Sequence, residues 1–568
     1  MSNNNDTSEL FNQALENIKN NDLRAGAELF EKILKIDPGH LQSNFYLGNI
    51  YAQIKNFSKA KKIFENIIKQ KPQSVEAHNN LGLINLESGQ IDEAKKYFER
   101  AIKINPDYPD GYNNLGLMFM RLGEVENAKK NYEKSIEINP ENFLAMNNLG
   151  ILSKNLGDSK NAEKYFKNAI TINPKYLLAH INLMQLYERL NLKNELNDAV
   201  NEAEINFQNN PIVKLYKGKL LYKNQDFSEA IKNLESIKFN ESQLTFEKNR
   251  TLAIAKSYDK IEKSDEAFSY FSKTNDISLK QKSNKTDKNN FLNLINLRND
   301  YFNESEVQKW KKLNSANDPI FMVGFPRSGT TLLDTILRSH PNIEVIEEKP
   351  LVEGIIKLLN NFTNGKLENL KDIDETKLED IRNVYFSKRE EFIKNKDSEK
   401  MYIDKMPLNI IYIGEILRVF PNAKFIFSLR HPCDCILSCF MQNFKLNDSM
   451  ANFLNLEDSA NLYNSVMNLW IKYTSIFSFK YHVLKYEDLV QNFEKSVKDV
   501  LEFLELNWAD SILEFYKTAE KRGLISTPSY DQVNKPINTK AIDKWKRYEK
   551  YINNSYPILE PWIKKFEY

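Results

Sequence analysis

The chain has 568 residues, of which 41% are hydrophobic and 27% are charged, with 79 Lys and Arg against 77 Asp and Glu. This length predicts two or more domains, and the net charge of +2 gives no electrostatic reason to expect a nucleic-acid partner. Because the sequence shows no secretory signal and no apolar run of membrane-spanning length, we expect a soluble, cytoplasmic protein without a membrane span.

The first half of the sequence repeats with a period of 34 residues. Three small or helix-ending residue types recur at this interval, at Gly48, Gly82, Gly116 and Gly150, at Ala60, Ala94, Ala128 and Ala162, and at Pro72, Pro106, Pro140 and Pro174. Small residues let the two helices of a hairpin approach closely, and proline ends the second helix. Weaker copies flank these four, so we expect about eight hairpins over residues 7–281, after a disordered segment at 1–6.

This period and this pattern resemble the tetratricopeptide repeat. The resemblance implies a superhelix of stacked helical hairpins that holds a protein or peptide partner. A rigid spacer without a ligand is the alternative interpretation. The asparagine-rich stretches "NNLG" at 79–82 and 113–116 fit either a binding role or packing between helices.

The second half alternates short apolar runs with helical patterns. We interpret 282–315 as a helical connector and 355–399 as a charged, helical insertion over the site. The predicted strands are "PIFMVGF" at 319–325, "NIEVIEE" at 342–348, "MYIDKMP" at 401–407, "AKFIFSLRHP" at 423–432 and "YHVLKYEDL" at 481–489. Such alternation predicts a parallel sheet with helices on both faces and a ligand at the carboxyl ends of the strands.

A glycine loop follows the first of these strands, in "MVGFPRSGTTLLDTIL" at 322–337. Gly324 and Gly329 have the spacing of a phosphate loop, and Thr331 stands at its Ser/Thr position, but Thr330 replaces the usual lysine. Backbone N–H groups and the helix dipole still favour an anion there. No aspartate ends the strand "FIFSLR", which ends in Arg430 instead. We therefore expect an anionic ligand bound without a metal.

Two segments resemble the sulfotransferases that use 3′-phosphoadenosine 5′-phosphosulfate. "FPRSGTTLL" resembles their 5′-phosphosulfate loop, and "FIFSLRHPCDCILS" resembles their 3′-phosphate segment. The resemblance implies an α/β, P-loop-like sulfotransferase domain over 316–568, with this nucleotide as co-substrate and no metal. Its implied nucleotide-binding residues are Arg327, Ser328, Gly329, Thr330, Thr331, Arg430 and Ser438.

The similarity is closer to the protein-tyrosine sulfotransferases. "VIEEKP" resembles the stretch that carries their catalytic base, which implies Glu348, with Glu347 as the competing carboxylate. "DKMP" and "KYEDL" imply Lys405 as a catalytic lysine and Tyr486 as a nucleotide contact. The closing loop of that family resembles "SYDQVNKPINTKAIDKW", which implies a catalytic serine and two nucleotide-binding lysines at Ser529, Lys535 and Lys544.

Two positions depart from that family. Gln442 replaces an arginine of the 3′-phosphate segment, and Pro350 replaces an arginine that contacts acidic peptides. The hypothesis is sulfonate transfer to an acceptor hydroxyl, on a protein tyrosine, a glycan or another small molecule, with the repeats recruiting the acceptor or a partner. The alternatives are a catalytically inactive interaction scaffold and a nucleotide kinase that uses the loop for ATP.

Three cysteines cluster in one predicted helix, at Cys433, Cys435 and Cys439. Only two of them share a helix face and no second ligand pair is near, so we expect core packing rather than a metal site. For the neighbouring His431 we expect a structural role.

Overall fold

The computed structural model describes residues 2–20, 22–282, 285–310, 318–393, 400–517 and 536–568. The chain forms two compact units, Met1–Tyr216 and Lys217–Tyr568. The division lies inside the range predicted for the repeats, so the last helical hairpins belong to the second unit. No helix within the described ranges is both long enough and apolar enough to cross a membrane.

The first unit is built from paired helices. Their bounds are α1 Ser2–Lys19, α2 Leu23–Ile36, α3 Leu41–Gln53, α4 Phe57–Gln70, α5 Val75–Glu87, α6 Ile91–Ile104, α7 Pro109–Leu122, α8 Val125–Ile138, α9 Phe143–Asn155, α10 Ser159–Ile172, α11 Leu177–Arg189 and α12 Lys193–Asn206. Helix α13, Pro211–Lys223, continues from this unit into the next. These hairpins follow the predicted 34-residue period, and α1 begins upstream of the predicted boundary at residue 7.

The repeated glycine is explained by close helix packing. A Cβ atom on Gly82 would lie 2.4 Å from the ring of Phe98, and one on Gly48 would lie 2.8 Å from the ring of Phe64. Both rings are fully buried. Only a residue without a side chain leaves room for the aromatic ring of the paired helix, because protein interiors are close-packed.

The asparagine-rich helix faces form hydrogen bonds between successive hairpins. In each of four pairs, the side-chain amide of one asparagine donates to the side-chain oxygen of an asparagine in the preceding hairpin, with N···O distances of 2.9 to 3.0 Å. This asparagine ladder consists of the pairs Asn80–Asn49, Asn114–Asn79, Asn148–Asn113 and Asn182–Asn147. Buried amides cost free energy unless they are paired. The ladder therefore has a packing role, one of the two that the sequence left open.

The second unit joins the remaining helices to a sheet. Its helices are α14 Phe227–Glu235, α15 Leu244–Lys260, α16 Ser264–Lys280, α17 Lys288–Tyr301, α18 Glu304–Val307, α19 Thr330–Leu337, α20 Leu351–Thr363, α21 Glu375–Phe392, α22 Ile413–Val419, α23 Pro432–Phe440, α24 Leu456–Ile476, α25 Tyr486–Gln491, α26 Phe493–Phe503, α27 Glu549–Ile552 and α28 Tyr556–Lys565. Short 3₁₀ turns lie at Glu241–Gln243, Leu367–Asp372, Pro407–Tyr412, Met450–Leu454, Asp510–Glu514 and Lys544–Tyr548.

The sheet has five parallel strands in the order β2-β3-β1-β4-β5, which confirms the predicted parallel α/β architecture. The strands are β1 Ile320–Gly324, β2 Ile343–Glu347, β3 Met401–Lys405, β4 Lys424–Leu429 and β5 Lys480–Lys485. The chain passes from β1 to one side for β2 and β3, and to the other side for β4 and β5. This reversal of direction creates a crevice at the carboxyl end of β1, where such sheets bind ligands.

Helices α20 and α21 correct one expectation. Their sequence is rich in charge and was predicted to lie over the site. In the structure, apolar residues such as Ile355, Leu359, Leu378 and Ile381 are buried in the same core as sheet residue Phe321. The two helices thus cover a face of the sheet, because each is amphipathic and buries its apolar stripe.

Candidate active site

A cleft of about 1040 Å³ opens in the second unit, next to the glycine loop. Eight of the predicted site residues line it: Arg327, Gly329, Thr330, Thr331, Glu348, Arg430, Tyr486 and Lys544. Three more of the predicted residues lie behind this lining: Lys405 donates to Glu348, Ser438 accepts from Arg327, and the backbone carbonyl of Ser328 accepts from Ser428. Ser529 and Lys535 lie outside the described residues.

The glycine loop is tightly folded between β1 and α19. Gly329 precedes the first residue of α19 with φ of 96°, and Arg327 has φ of 71°. A Cβ atom on Gly324 would lie 2.6 Å from the carbonyl oxygen of Ser428, and one on Gly329 would lie 2.7 Å from the ring of Tyr486. Both glycines are therefore required by space, and the loop ends at a helix N-terminus whose free N–H groups favour an anion.

Arg327 lies at the tip of this loop. Its Nε donates to Ser438 Oγ, in the last turn of α23, at 3.0 Å. Burial lowers the pKa of Arg327, and the positive charge of the neighbouring Arg430 lowers it further. Two guanidinium groups that repel each other in a poorly solvated site favour binding of an anion between or beside them.

Arg430 follows β4 and is held by backbone carbonyls. Its Nη1 donates to Arg327 O at 3.2 Å and its Nη2 to Ala541 O at 2.5 Å. Its guanidinium lies 4.9 Å from the centre of the Tyr486 ring. Burial by itself would lower the pKa of Arg430, but Asp434, 3.9 Å away, contributes to an opposing shift that holds this pKa above its ordinary value. The side chain is thus a permanent, preorganised cation at the cleft.

A buried lysine and two glutamates meet at the ends of β2 and β3. Lys405 is fully buried, and its Nζ lies 2.9 Å from Glu348 Oε1, 3.3 Å from Glu347 Oε1 and 4.0 Å from Asp334 Oδ2. Burial alone would lower the pKa of Lys405, but these three carboxylates outweigh it and raise the pKa. The ammonium group therefore stays charged out of contact with bulk water.

The geometry distinguishes between the two glutamates. Glu347 is the last residue of β2, paired with Lys405 in the sheet, and its side chain is 9% exposed. Glu348 leaves the strand with φ of 48°, donates its backbone N–H to Lys405 O at 2.8 Å, and turns a 35% exposed side chain into the cleft lining. A non-glycine residue with positive φ is strained, and such strain concentrates at functional sites. Of the pair, Glu348 can reach a ligand.

Comparison with known proteins identifies the domain. A model of the sulfotransferase family matches residues 319–510, and models of the tetratricopeptide repeat match residues 17–84, 75–108, 109–142 and 131–164. Residues 319–510 form a domain of the sulfotransferase family. The glycine loop, Arg430 and the Lys405 cluster all lie within this sulfotransferase domain.

The curated relatives share part of the chain. An uncharacterized protein of Aquifex aeolicus (strain VF5) is 31% identical over 56% of this chain and 41% of its own length. The protein-tyrosine sulfotransferase of Drosophila melanogaster is 25% identical over 46% of this chain and 53% of its own length. Protein-tyrosine sulfotransferase 1 of Homo sapiens is 28% identical over 40% of this chain and 62% of its own length. The chain thus spans about half the length of these relatives.

Several cleft residues were not anticipated from the sequence. Helix α15 and the turn after it contribute Asp259, Lys260 and Glu262, although this stretch was interpreted as a repeat. Apolar residues of the cleft lining were also missed; those here called the apolar wall are Met406, Pro407, Leu408, Phe444 and Met450. The only sequence signal for the wall was that three of its members directly follow the "DKMP" lysine.

The three cysteines and His431 pack in or against the core of the sulfotransferase domain. All three cysteines are buried, and the thiols of Cys435 and Cys439 lie 3.8 and 3.4 Å from backbone carbonyl oxygens. His431 stacks on Trp545 with ring centres 5.1 Å apart, and burial lowers the pKa of its imidazole to about 4. Within the described ranges no group of three or more His, Cys, Asp or Glu side chains could hold a metal ion.

Proposed function

We propose that the protein transfers a sulfonate group from 3′-phosphoadenosine 5′-phosphosulfate to an acceptor hydroxyl. The observation that carries the proposal is the Lys405 cluster: a fully buried ammonium group paired at 2.9 Å with a cleft-lining carboxylate, inside a sulfotransferase-family domain. A buried charge of this kind costs free energy unless it is paired. Its retention beside an anion-binding loop is best explained by a task in group transfer.

The residues of the cleft fit such a nucleotide. Ser328 Oγ and Arg430 Nε are buried without a hydrogen-bond partner among the described residues. Both lie at or beside the glycine loop, so each offers a polar group that a bound phosphate or sulfate oxygen would satisfy. In this proposal the loop residues Arg327 to Thr331 hold the 5′ end, while Arg430 and Ser438 hold the 3′-phosphate. Tyr486 and Lys544 complete the nucleotide site.

The roles of Glu348 and Lys405 follow from their positions. The nucleotide supplies a sulfonate group on a good leaving group. Glu348 accepts the proton of the acceptor hydroxyl as the new oxygen–sulfur bond forms. Lys405 orients Glu348 and supplies positive charge where the old sulfur–oxygen bond breaks and its electron pair stays on the leaving oxygen. Lys405 is placed by the sheet register, and Glu348 is placed by the hydrogen bond from its backbone N–H to Lys405 O, so the two residues are already side by side.

The apolar wall indicates the kind of acceptor. Met406, Leu408, Phe444 and Met450 line the cleft that also contains Glu348. A hydroxyl carried on an aromatic ring would bury that ring against these side chains, whereas a glycan would leave them uncovered and lose its own water. We therefore favour a phenolic acceptor such as tyrosine. In the same proposal the tetratricopeptide repeats recruit the protein or peptide that carries it.

Two measurements test the proposal. Calorimetry with adenosine 3′,5′-bisphosphate should show micromolar or tighter binding in the absence of magnesium, and Arg430→Ala should abolish it. Incubation with radiolabelled donor should then label a tyrosine-containing peptide or lysate proteins. Binding of ATP that requires magnesium, with no binding of the bisphosphate, would favour a kinase and reject the proposal. Binding without any transfer would favour the inactive scaffold.

A further inference from the structure

Helix α15 reaches the cleft from outside the sulfotransferase family match. This helix, Leu244–Lys260, lies in the sequence range predicted for the repeats, yet it belongs to the same compact unit as the sheet. Its penultimate residue, Asp259, lines the cleft together with Lys544 and Arg547. The Asp259 side chain is only 12% exposed. A carboxylate buried to that degree requires strong partners.

Asp259 finds those partners on a single turn, Lys544–Tyr548. Its Oδ2 accepts from Lys544 Nζ at 2.7 Å, and its Oδ1 accepts from Tyr548 OH at 2.8 Å and Arg547 Nη2 at 3.2 Å. Its backbone carbonyl accepts a further bond from Arg547 Nη1 at 3.3 Å. Burial by itself would raise the pKa of Asp259, but Lys544, Tyr548 and Arg547 together hold it below its ordinary value, so the carboxylate is ionised.

The same turn is tied to the nucleotide side of the cleft. Trp545 N donates to Asp434 Oδ1 at 2.9 Å, and the carbonyl of Ala541, just before the turn, accepts from Arg430 at 2.5 Å. The segment therefore bridges the phosphate-binding arginine and the end of α15. A change at either anchor alters where the turn presents its side chains to the cleft.

The contact with Asp259 favours the charged form of Lys544. Burial lowers the pKa of Lys544, and Asp259 is the main group that opposes the shift. An ammonium group has three N–H donors, and Asp259, which lines the cleft beside Lys544, accepts from one of them. The remaining donors are available to an anion in the cleft. Asp259 thus supports Lys544 without competing with a ligand for its whole charge.

We infer that Asp259 is a positioning residue of the nucleotide site, which fixes Lys544 at the cleft where an anion would bind, so that helix α15 is part of the nucleotide-binding machinery. The inference rests on the proposed function. It also means that a boundary at residue 316 would remove a component of the active site. The repeat-like helices at the end of the array therefore do more than recruit a partner.

A second aspartate provides a matched control. Asp265, in the first turn of α16, accepts from Lys550 Nζ at 2.7 Å and Tyr551 OH at 3.0 Å, so it joins the same two parts of the chain. It is 61% exposed and does not line the cleft. If Asp259 only ties the helices to the C-terminal segment, neutralising either aspartate should have the same effect.

The experiment is calorimetry with adenosine 3′,5′-bisphosphate on the full chain carrying Asp259→Asn or Asp265→Asn. We expect about tenfold or greater loss of affinity for Asp259→Asn and less than about twofold for Asp265→Asn, since one tenfold step equals about 1.4 kcal/mol. Affinity of Asp259→Asn should also fall more steeply than wild type between pH 7 and pH 9, because its Lys544 loses a proton more readily. A purely structural contact would not produce that pH profile.

A double mutant separates the remaining outcomes. In a Lys544→Gln background, Asp259→Asn should cause no further loss of affinity, because the residue through which it acts is gone. Equal affinities of Asp259→Asn and Asp265→Asn, or wild-type affinity of Lys544→Gln, would overturn the inference. If Asp259→Asn fails to fold, wild-type affinity of Lys544→Gln still overturns the inference. Failure of the wild type to bind the bisphosphate would instead reject the proposed function.

Discussion

Replacing Glu348 by glutamine should remove the proposed base while leaving the fold intact. The Glu348 side chain is 35% exposed but Lys405 is fully buried, so loss of this charged hydrogen bond should lower the free energy of unfolding by about 1–3 kcal/mol. Lys405 keeps Glu347 at 3.3 Å and Asp334 at 4.0 Å, so its charge remains compensated. The amide occupies the same volume but cannot accept the acceptor's proton.

The expected kinetic effect is large. General bases contribute roughly 10²- to 10⁴-fold, which corresponds to about 3–5 kcal/mol of transition-state stabilisation. We therefore expect Glu348→Gln to lower kcat by at least about a hundredfold with little change in nucleotide affinity. The assay is transfer of radiolabelled sulfonate at saturating donor, alongside calorimetry with adenosine 3′,5′-bisphosphate and a thermal melt.

Glu347→Gln is the matched control. It removes the other glutamate contact of Lys405, but its side chain is only 9% exposed and does not line the cleft. We expect its transfer rate to fall less than about tenfold, mainly through altered placement of Lys405. Equal losses for the two variants, or unchanged transfer by Glu348→Gln, would show that Glu348 is not the base.

Three further variants test the fold and the site. Gly329→Ala should weaken nucleotide binding about tenfold or more, because the new methyl group meets a tyrosine ring at 2.7 Å at a φ of 96°; Gly365→Ala, also at positive φ but with open space around it, serves as the calorimetric control. Burial raises the pKa of Asp404 to about 7, so its contribution to stability is complete below about pH 4 and lost as the pH rises through 7. The urea-derived stability of the wild type should accordingly fall by about 3 kcal/mol more between pH 5 and pH 8 than that of Asp404→Asn, and parallel curves would contradict this. Gly82→Ala should destabilise the first unit by about 1–3 kcal/mol in thermal melts through its clash with Phe98, and an unchanged melting temperature would refute the packing argument.

The local sequence pattern was sufficient to predict most of the helices and strands. The strand predicted at 401–407 is observed at Met401–Lys405, and the one predicted at 423–432 is observed at Lys424–Leu429. These two strand predictions succeed because a buried parallel strand is a short, continuous apolar run between turn residues. The 34-residue period likewise revealed the helical hairpins, because each unit repeats the same small and bulky positions.

Contacts between distant residues required the tertiary structure. Nothing in the sequence around Asp259 indicates a partner 285 residues away, yet that partner, Lys544, connects α15 to the cleft. The family resemblance favoured Glu348 over Glu347, but the residues themselves gave no physical reason for that choice. Adjacent carboxylates look alike until the end of β2 and a positive φ direct one of them into the cleft.

The sequence alone determined the repeat array, the parallel sheet and the residues of the glycine loop, since periodicity and glycine spacing are local properties of the chain. Only the tertiary structure showed that α20 and α21 cover the sheet, that α15 contributes to the cleft, and that Glu348 rather than Glu347 lines it. The physical reason is that amphipathic helices specify which face they bury but not what they bury it against.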